Sequence, residues 1–550
     1  MFPAGSVRRV SDPYLHPLPP RERDAYAEVQ EETSCRGFGG IPQISQSPPK
    51  NGGSRGLKEG CETASGGIPQ EWGPRGLRKG FSDSLTYQRF QGGEITKKYD
   101  LVVIGSGCGA IISDEAVGHG QKVAVIDKGP LGGTCLNLGC IPSKMLIYAA
   151  DRAVDIQEAG KLGIEAEIRS IDFASIMERM RKSIKEGQDH VRQGIEQSKG
   201  LDLYEGEGHF VADYTVEVNG RQVKGERVFI ACGSRPFVPP IKGVDSVDYW
   251  TNEQVLQQKE RPDSLIIIGG GYIAVEYGHF FAAMGTKVTI LEMADRLTLA
   301  EEPEISELLK KALSRRMEVH TGALAEEVRK GADGKVTVAV KTSDGKKREF
   351  TAQRLLMAVG RKSNADLLRL VNTGVQIDQK GFIKVNEYLE TAKKNIYAVG
   401  DANGLQMFTH AANRQASMVA DNVLHGEKTK MDTSVTPHAV YSHPQIASVG
   451  LTEEKAKKDH QILVGKANYS SIAKGEAMME EEGFAKAILD KDTKKILGFH
   501  IIGPFAPELI QEVTNAMASG GDIGYILNGM HIHPALNELI EATLGSLEEA

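Results

Sequence analysis

Two stretches of the chain carry the same hydrophobic pattern. In YDLVVIGSGCGA, residues 99–110, an unbroken apolar run predicts a strand buried on both faces; it breaks into a glycine turn and then a helix. Beyond that helix, KVAVID predicts a second strand ending at Asp127. The pattern recurs in SLIIIGGGYIAVEYGHFFAAMGTKVTILE, residues 264–292, where the second strand ends at Glu292. From 435 onward short strands and hairpin signals take over. In GFAKAILDKDTKKILGFHIIG, residues 483–503, a charged Asp-Lys-Asp turn joins two apolar strands, and helices follow, finishing in HIHPALNELIEATL.

The first 97 residues show no sustained periodicity and are rich in Gly, Pro, Ser and Arg, so they are expected to be disordered and dispensable. GGIPQ occurs there twice, at 39–43 and 66–70, a repeat too short for a solenoid. Six acids between Asp12 and Glu32 argue against a mitochondrial leader, and the missing apolar segment argues against a secretory signal. At 550 residues and 40% hydrophobic content the chain can form several domains with sizeable cores. A net charge of −7 gives no basic footprint for nucleic acid, and no apolar run approaches the roughly 20 residues of a membrane span. Six scattered cysteines do not make a secreted disulfide scaffold, so a reducing, cytoplasmic setting is expected.

Each glycine turn has the chemistry of a dinucleotide site. In the first, Gly105 permits the tight turn, Gly107 admits a pyrophosphate, Ala110 stands where a small residue lets helix pack on strand, and Asp127 can accept hydrogen bonds from a ribose. In the second, Gly269, Gly271 and Ala274 fill the same places. Glu292 would bond the free ribose hydroxyl of NAD and repel the extra phosphate of NADP. Between the two turns, GGTCLNLGCIPSKM at 132–145 sets Cys135 and Cys140 in a glycine-rich segment. In an ideal helix, i and i+5 are about 140° apart, too far for a disulfide unless the helix is distorted, and Gly139 could absorb that distortion. A redox dithiol beside a helix start, two buried cysteines, and half a zinc site all remain open on spacing alone, although no second ligand pair of similar spacing is visible.

With these motifs in hand, the chain resembles the flavin-dependent pyridine nucleotide-disulfide oxidoreductases across 98–550. Besides the two turns and the cysteine box, the resemblance rests on RVFIACGSRP at 227–236, LMAVGRKSNADLL at 356–368 and NIYAVGDANG at 395–404. It implies an α/β fold of two Rossmann-like dinucleotide-binding domains, for FAD and NAD, and a C-terminal α+β dimerisation domain. FAD-binding parts are expected at 98–246 and 370–434, an NAD-binding domain at 247–369 and the homodimer interface domain at 435–550. By the same resemblance Gly133, Thr134, Gly208, Gly400, Asp401 and Thr409 would line the FAD site. Gly360 and Arg361 would also bind a cofactor, and Tyr272 would cover the nicotinamide pocket until the nucleotide enters. Cys135 would exchange with substrate, and Cys140 would lie against the flavin as the charge-transfer thiolate. His533, oriented by Glu538 and reaching into the partner subunit's site, would be the acid–base. Lys144 and Glu276 would pair beside flavin and nicotinamide, and His531 is assigned a structural role.

Within the family, Glu292 and the intact cysteine pair resemble NAD-linked dihydrolipoamide dehydrogenase, acting on a dithiol small molecule or a lipoyl domain. The C-terminal GSLEEA lacks the cysteine pair that mercuric reductases carry there. ISDEAVG, SNADLL and HIHPAL are closer to mycothione reductase, so an NAD(P)H-dependent reductase of a low-molecular-weight disulfide is the second expectation. A flavin-binding redox sensor is the non-enzymatic one.

Overall fold

The computed structural model describes residues 96–550. The disorder, repeats and dispensability expected of residues 1–97 therefore fall outside the described residues, except at the boundary. There the first strand, Lys97–Ile104, starts inside the expected tail, because Lys97 and Lys98 already pair with Val223 and Lys224.

That strand is the centre of a mostly parallel sheet. Val123–Asp127 and then Leu201–Glu205 lie on one side of it, and Arg221–Ile230 lies on the other. The last of these carries two partners on its far edge. Thr215–Val218 and Gly208–Ala212 form an antiparallel ribbon on its first half, and Ile396–Ala398 adds in parallel on its second. The chain thus leaves this sheet and returns to it about 165 residues later, which places Asp401 back beside the first glycine turn. Leu101, Val102 and Val103 are fully buried, as a strand covered on both faces requires.

The excursion contains a four-stranded parallel sheet in the order Glu318–His320, Lys287–Leu291, Ser264–Ile268, Arg354–Met357. A three-stranded antiparallel sheet, Ala323–Lys330, Val336–Thr342 and Lys347–Ala352, belongs to the same segment. The helix Tyr272–Ala283 that follows the second turn is almost entirely buried, in keeping with its apolar run. A six-stranded antiparallel sheet then runs from His438–Val440 to Glu548–Glu549, with the expected hairpin Phe484–Asp490 and Ile496–Ile502 at its middle.

One long helix was not anticipated by the strand-and-turn reading. Phe173–Gln197 buries Phe173, Met177, Met180 and Ile184 at steps of four, three and four, and Asp172 caps it by accepting the Ser175 N–H at 2.9 Å. Its apolar face shares a core with Leu146, Ala150 and Val154 of Cys140–Glu158 and with Val275, Phe280 and Phe281 of Tyr272–Ala283. The cysteine helix is thus wedged between two others, and its first turn is held in place. Among the described residues no helix is long and apolar enough to cross a membrane.

Candidate active site

Cys135 lies in the short helix Gly133–Asn137, and Cys140 is the first residue of Cys140–Glu158. The distortion that the spacing demands is a break between them. Leu138 closes the short helix by donating its N–H to Thr134 O at 2.8 Å, and Gly139 then turns the chain at φ −135°, ψ −108°. A Cβ on Gly139 would stand 3.1 Å from Thr134 O, so the reversal is as tight as glycine allows. The two sulfurs come within hydrogen-bonding reach, and Cys140 Sγ also lies 3.2 Å from Thr409 Oγ1.

This geometry makes the pair unequal. The hydrogen bond from Cys135, the Thr409 hydroxyl and the Lys144 ammonium bring the Cys140 thiol down to about 6, against the burial that opposes ionisation. Cys135, the donor in that bond, is pushed up, and its own burial adds to the shift. Cys140 is therefore the sulfur that carries charge, at a helix N-terminus that favours it.

Lys144, one turn further along, bonds both carboxylate oxygens of Glu276 at 2.9 and 2.8 Å. Glu276 is only 4% exposed; it also accepts the Tyr441 N–H at 3.1 Å, and the Tyr441 ring centroid lies 4.4 Å from Lys144 Nζ. A second rung, Asp151 to His279 Nε2 at 2.8 Å, joins the same two helices. The cysteine helix and the helix of the second glycine turn are thus cross-linked twice.

Two cavities meet at the cysteines. One, of about 440 Å³, runs from the first glycine turn past Asp127, Gly133 and Gly208 to Asp401; the other, of about 670 Å³, contains Cys140, Lys144, Tyr272, Glu276 and Arg361. Cys135, Thr134, Asp401 and Thr409 line both. Asp401 accepts the Ser234 hydroxyl at 2.5 Å, and Arg361 Nε donates to the same Ser234 Oγ at 2.7 Å, 3.8 Å from Asp401. Arg361, expected as a cofactor-binding residue, is thereby engaged at Ser234 and Asp401 on the wall of the second cavity. Gly360 and Gly400, at φ +128° and +66°, turn the chain just before these residues.

At the first turn the closest helix-on-strand approach falls at Gly109, where a Cβ would come within 2.8 Å of Val103 Cγ1; Ala110, expected in that role, is half-buried. Ala274 is fully buried at the matching place in the second turn. Glu292 closes the second strand, accepts the Ala294 N–H at 2.6 Å, and lays its stem so close to Gly270 that a Cβ there would meet it at 2.7 Å. His533 Nδ1 and Glu538 Oε1 lie 2.8 Å apart, and Glu538 Oε2 accepts the Ala535 N–H at 2.8 Å, which together hold Glu538 below its ordinary value. His533 lines neither cavity, and its side chain is 71% exposed. His531 is buried against Glu512, at 2.9 Å.

The profile of the pyridine nucleotide-disulphide oxidoreductases matches residues 99–416, and that of their dimerisation domain matches 436–543. The chain belongs to this family. Mercuric reductase of Bacillus cereus is 35% identical over 434 residues, 78% of this chain and 68% of that protein. Dihydrolipoyl dehydrogenase of Bacillus subtilis is 33% identical over 82% of this chain and 98% of that one, and mycothione reductase of Mycobacterium tuberculosis is 35% identical over 81% and 98%. Among solved structures, the HOCl-induced flavoprotein disulfide reductase RclA from Escherichia coli, in its Cu(II) complex, superposes with a TM-score of 0.73 at 27% identity, covering 82% of this chain and 99% of that one.

Oxidoreductases of this family contain FAD and use NAD(P)H, and the residues here fit both. Gly105 has φ +107°, with a Cβ position only 2.2 Å from Ala231 O, and Gly107 and Gly133 leave their backbones bare on the wall of the first cavity. Asp127 accepts the N–H groups of Ser106 and Gly129 at 2.6 and 2.7 Å, which fixes the turn next to that space. At the second turn a Cβ on Gly271 would meet nothing within 4 Å, so backbone lies open where a pyrophosphate could approach.

Sequence reasoning missed Ser106, whose hydroxyl accepts the Gly132 N–H at 2.9 Å and ties the first turn to the cysteine loop. It also missed Ser234, Tyr441, and the stack of Phe408 between His410 and His438, at 5.5 and 5.6 Å, beside Thr409 in the second cavity. Apart from His410, two residues from Phe408, their partners lie far away in the chain, so no local pattern announces them.

Proposed function

We propose that this flavoprotein disulfide oxidoreductase is an NAD-linked dihydrolipoyl dehydrogenase, acting as a homodimer. The observation that carries the nucleotide choice is Glu292 seated on Gly270 at the end of its strand, where its carboxylate would accept the ribose hydroxyls of NAD⁺ and repel a phosphate. The intact, unequal Cys135 and Cys140 pair carries the choice of a dithiol substrate.

One substrate thiolate attacks Cys135 Sγ of the disulfide, and the Cys135–Cys140 bond breaks, leaving Cys140 as the thiolate its surroundings stabilise. The second substrate thiol gives its proton to His533 of a second subunit and displaces Cys135, so the substrate departs as a cyclic disulfide and the enzyme holds both electrons as a dithiol. Glu538 holds the imidazole in one orientation and supports its charge. FAD, when bound, supplies the two-electron acceptor that links this dithiol to NAD⁺. Lys144, fixed by Glu276, places positive charge in the second cavity beside Cys140.

Steady-state assays with dihydrolipoamide and NAD⁺ test the reading, with NADP⁺ as the control. Rapid NAD⁺-dependent turnover that disappears in Cys135→Ser, while flavin reduction by NADH persists, is expected. A second reading, an NAD(P)H-dependent reductase of a low-molecular-weight disulfide, is favoured by the near full-length likeness to mycothione reductase. Negligible dihydrolipoamide turnover beside rapid disulfide reduction would overturn the first in favour of the second.

A further inference from the structure

Glu115, His119 and His425 converge at a place with no part in the thiol chemistry. Helix Gly109–Gly118 starts at the first glycine turn and is closed by His119. Helix Thr409–Ala420 starts beside Cys140 and runs on through Asp421–His425. The two pack through Ile112, Ala116, Ala416 and Val419, so their far ends bring the imidazoles of His119 and His425 edge to face, centroids 4.5 Å apart. Glu115 Oε1 lies 3.3 Å from His119 Nε2 and 3.2 Å from His425 Nε2, and all three residues are exposed.

We propose that these three side chains bind a divalent transition cation of the zinc class. Among the described residues they are the one group of three His, Cys, Asp or Glu whose ligand atoms converge this closely, all within 4.8 Å of one another. The two edges from Glu115 lie near the roughly 3.3 Å edge of a tetrahedron whose metal–ligand bonds are about 2.0 Å, and the third pair of ligand atoms is within 4.8 Å. Two imidazoles and one carboxylate select zinc, copper or nickel over magnesium or calcium, and leave a coordination position for water. Two helices also end here, and the negative ends of their dipoles favour a cation. The bound ion would fasten together the far ends of the two helices whose near ends carry the flavin turn and Thr409.

The test is zinc titration of the tag-free, FAD-loaded full chain, in a Cys135→Ser, Cys140→Ser background that removes the reactive thiols as ligands, with Mg²⁺ as the control. About one Zn²⁺ per chain should bind, at least about tenfold more weakly in His119→Gln and in His425→Gln, with Mg²⁺ inert. Zinc should raise the melting temperature of the parent and leave that of a variant carrying both His119→Gln and His425→Gln unmoved. Flavin content checks that the variants fold, and Glu115→Gln replaces either that does not. Absence of zinc binding, binding unchanged by the substitutions, or equal binding of Mg²⁺ would each overturn the proposal.

Discussion

The two glycine turns share one sequence grammar but differ in what lies over them. At the first, the cysteine loop closes in. A Cβ on Gly133 would stand 2.7 Å from Gly107 Cα, and both oxygens of Asp127 are engaged by backbone N–H groups of the turn and the loop after the strand. At the second, Gly271 faces open space, Tyr272 next to it is 38% exposed, and Glu292 accepts one N–H. An enclosed turn suits a cofactor that stays, and an open one suits a nucleotide that enters and leaves on every cycle. The glycines alone do not distinguish these roles. What the chain lays over the middle glycine does.

The strongest way to break this contrast is to fill the turns. Gly133→Ala forces a Cβ to 2.7 Å from Gly107 Cα at φ +69°, where the cysteine loop closes on the turn. Flavin absorbance per purified chain should fall by on the order of tenfold or more. Gly271→Ala has room for its methyl, so flavin content should stay at the parent level and only the KM for NADH should rise. Equal flavin loss in both would show that the turns are not differently enclosed.

Next in size is the acid–base. His533→Gln should slow dithiol turnover on the order of 10²-fold while leaving flavin reduction by NADH intact. His533 lines neither cavity in its own subunit, so mixing this variant with Cys135→Ser should regenerate partial activity in hybrid dimers. No recovery despite proven subunit exchange would rule out a site shared across the dimer.

How much of this was legible in the sequence depends on how locally each feature is encoded. The strands on either side of each turn, the hairpin at 484–502 and the break at Gly139 follow from short patterns and elementary geometry. The Lys144 and Glu276 pair, 132 residues apart, was reached only through family resemblance; the bond from Ser234 to Asp401, 167 apart, was not reached at all. Helix Phe173–Gln197 carries a clear apolar stripe that attention to the glycine motifs passed over. Close packing of helix on strand was expected at Ala110, and its neighbour Gly109 also approaches the strand, a Cβ there standing 2.8 Å from Val103 Cγ1.

Glu292→Ala sharpens the contrast at the open turn. A charge-assisted hydrogen bond contributes about 1.5–3 kcal/mol, so the preference for NAD⁺ over NADP⁺ should fall by about tenfold or more, read as the ratio of kcat/KM values. The same change should not alter flavin content, since the Glu292 side chain is engaged within its own turn, at the Ala294 N–H and against Gly270.

The smallest effect tests whether the open turn is felt at the dithiol. Lys144 reaches Cys140 from one side and Glu276, on the helix after the second turn, from the other. In reduced protein carrying Cys135→Ser, whose hydroxyl can still donate to Cys140, the alkylation rate should follow the thiolate. A depressed thiol is ionised above its own pKa, so the rate should be level above about 6 and fall as the pH drops through it. Adding Lys144→Gln removes the ammonium and leaves Glu276 as an uncompensated negative charge nearby; both changes disfavour the thiolate, so the midpoint must move upward. The donor at 135 is the larger cause and Thr409 remains, so the thiol should stay below its ordinary range even then. A midpoint that stays put would mean that neither charge of the Lys144 and Glu276 pair is felt at Cys140, and that the two turns are electrostatically separate.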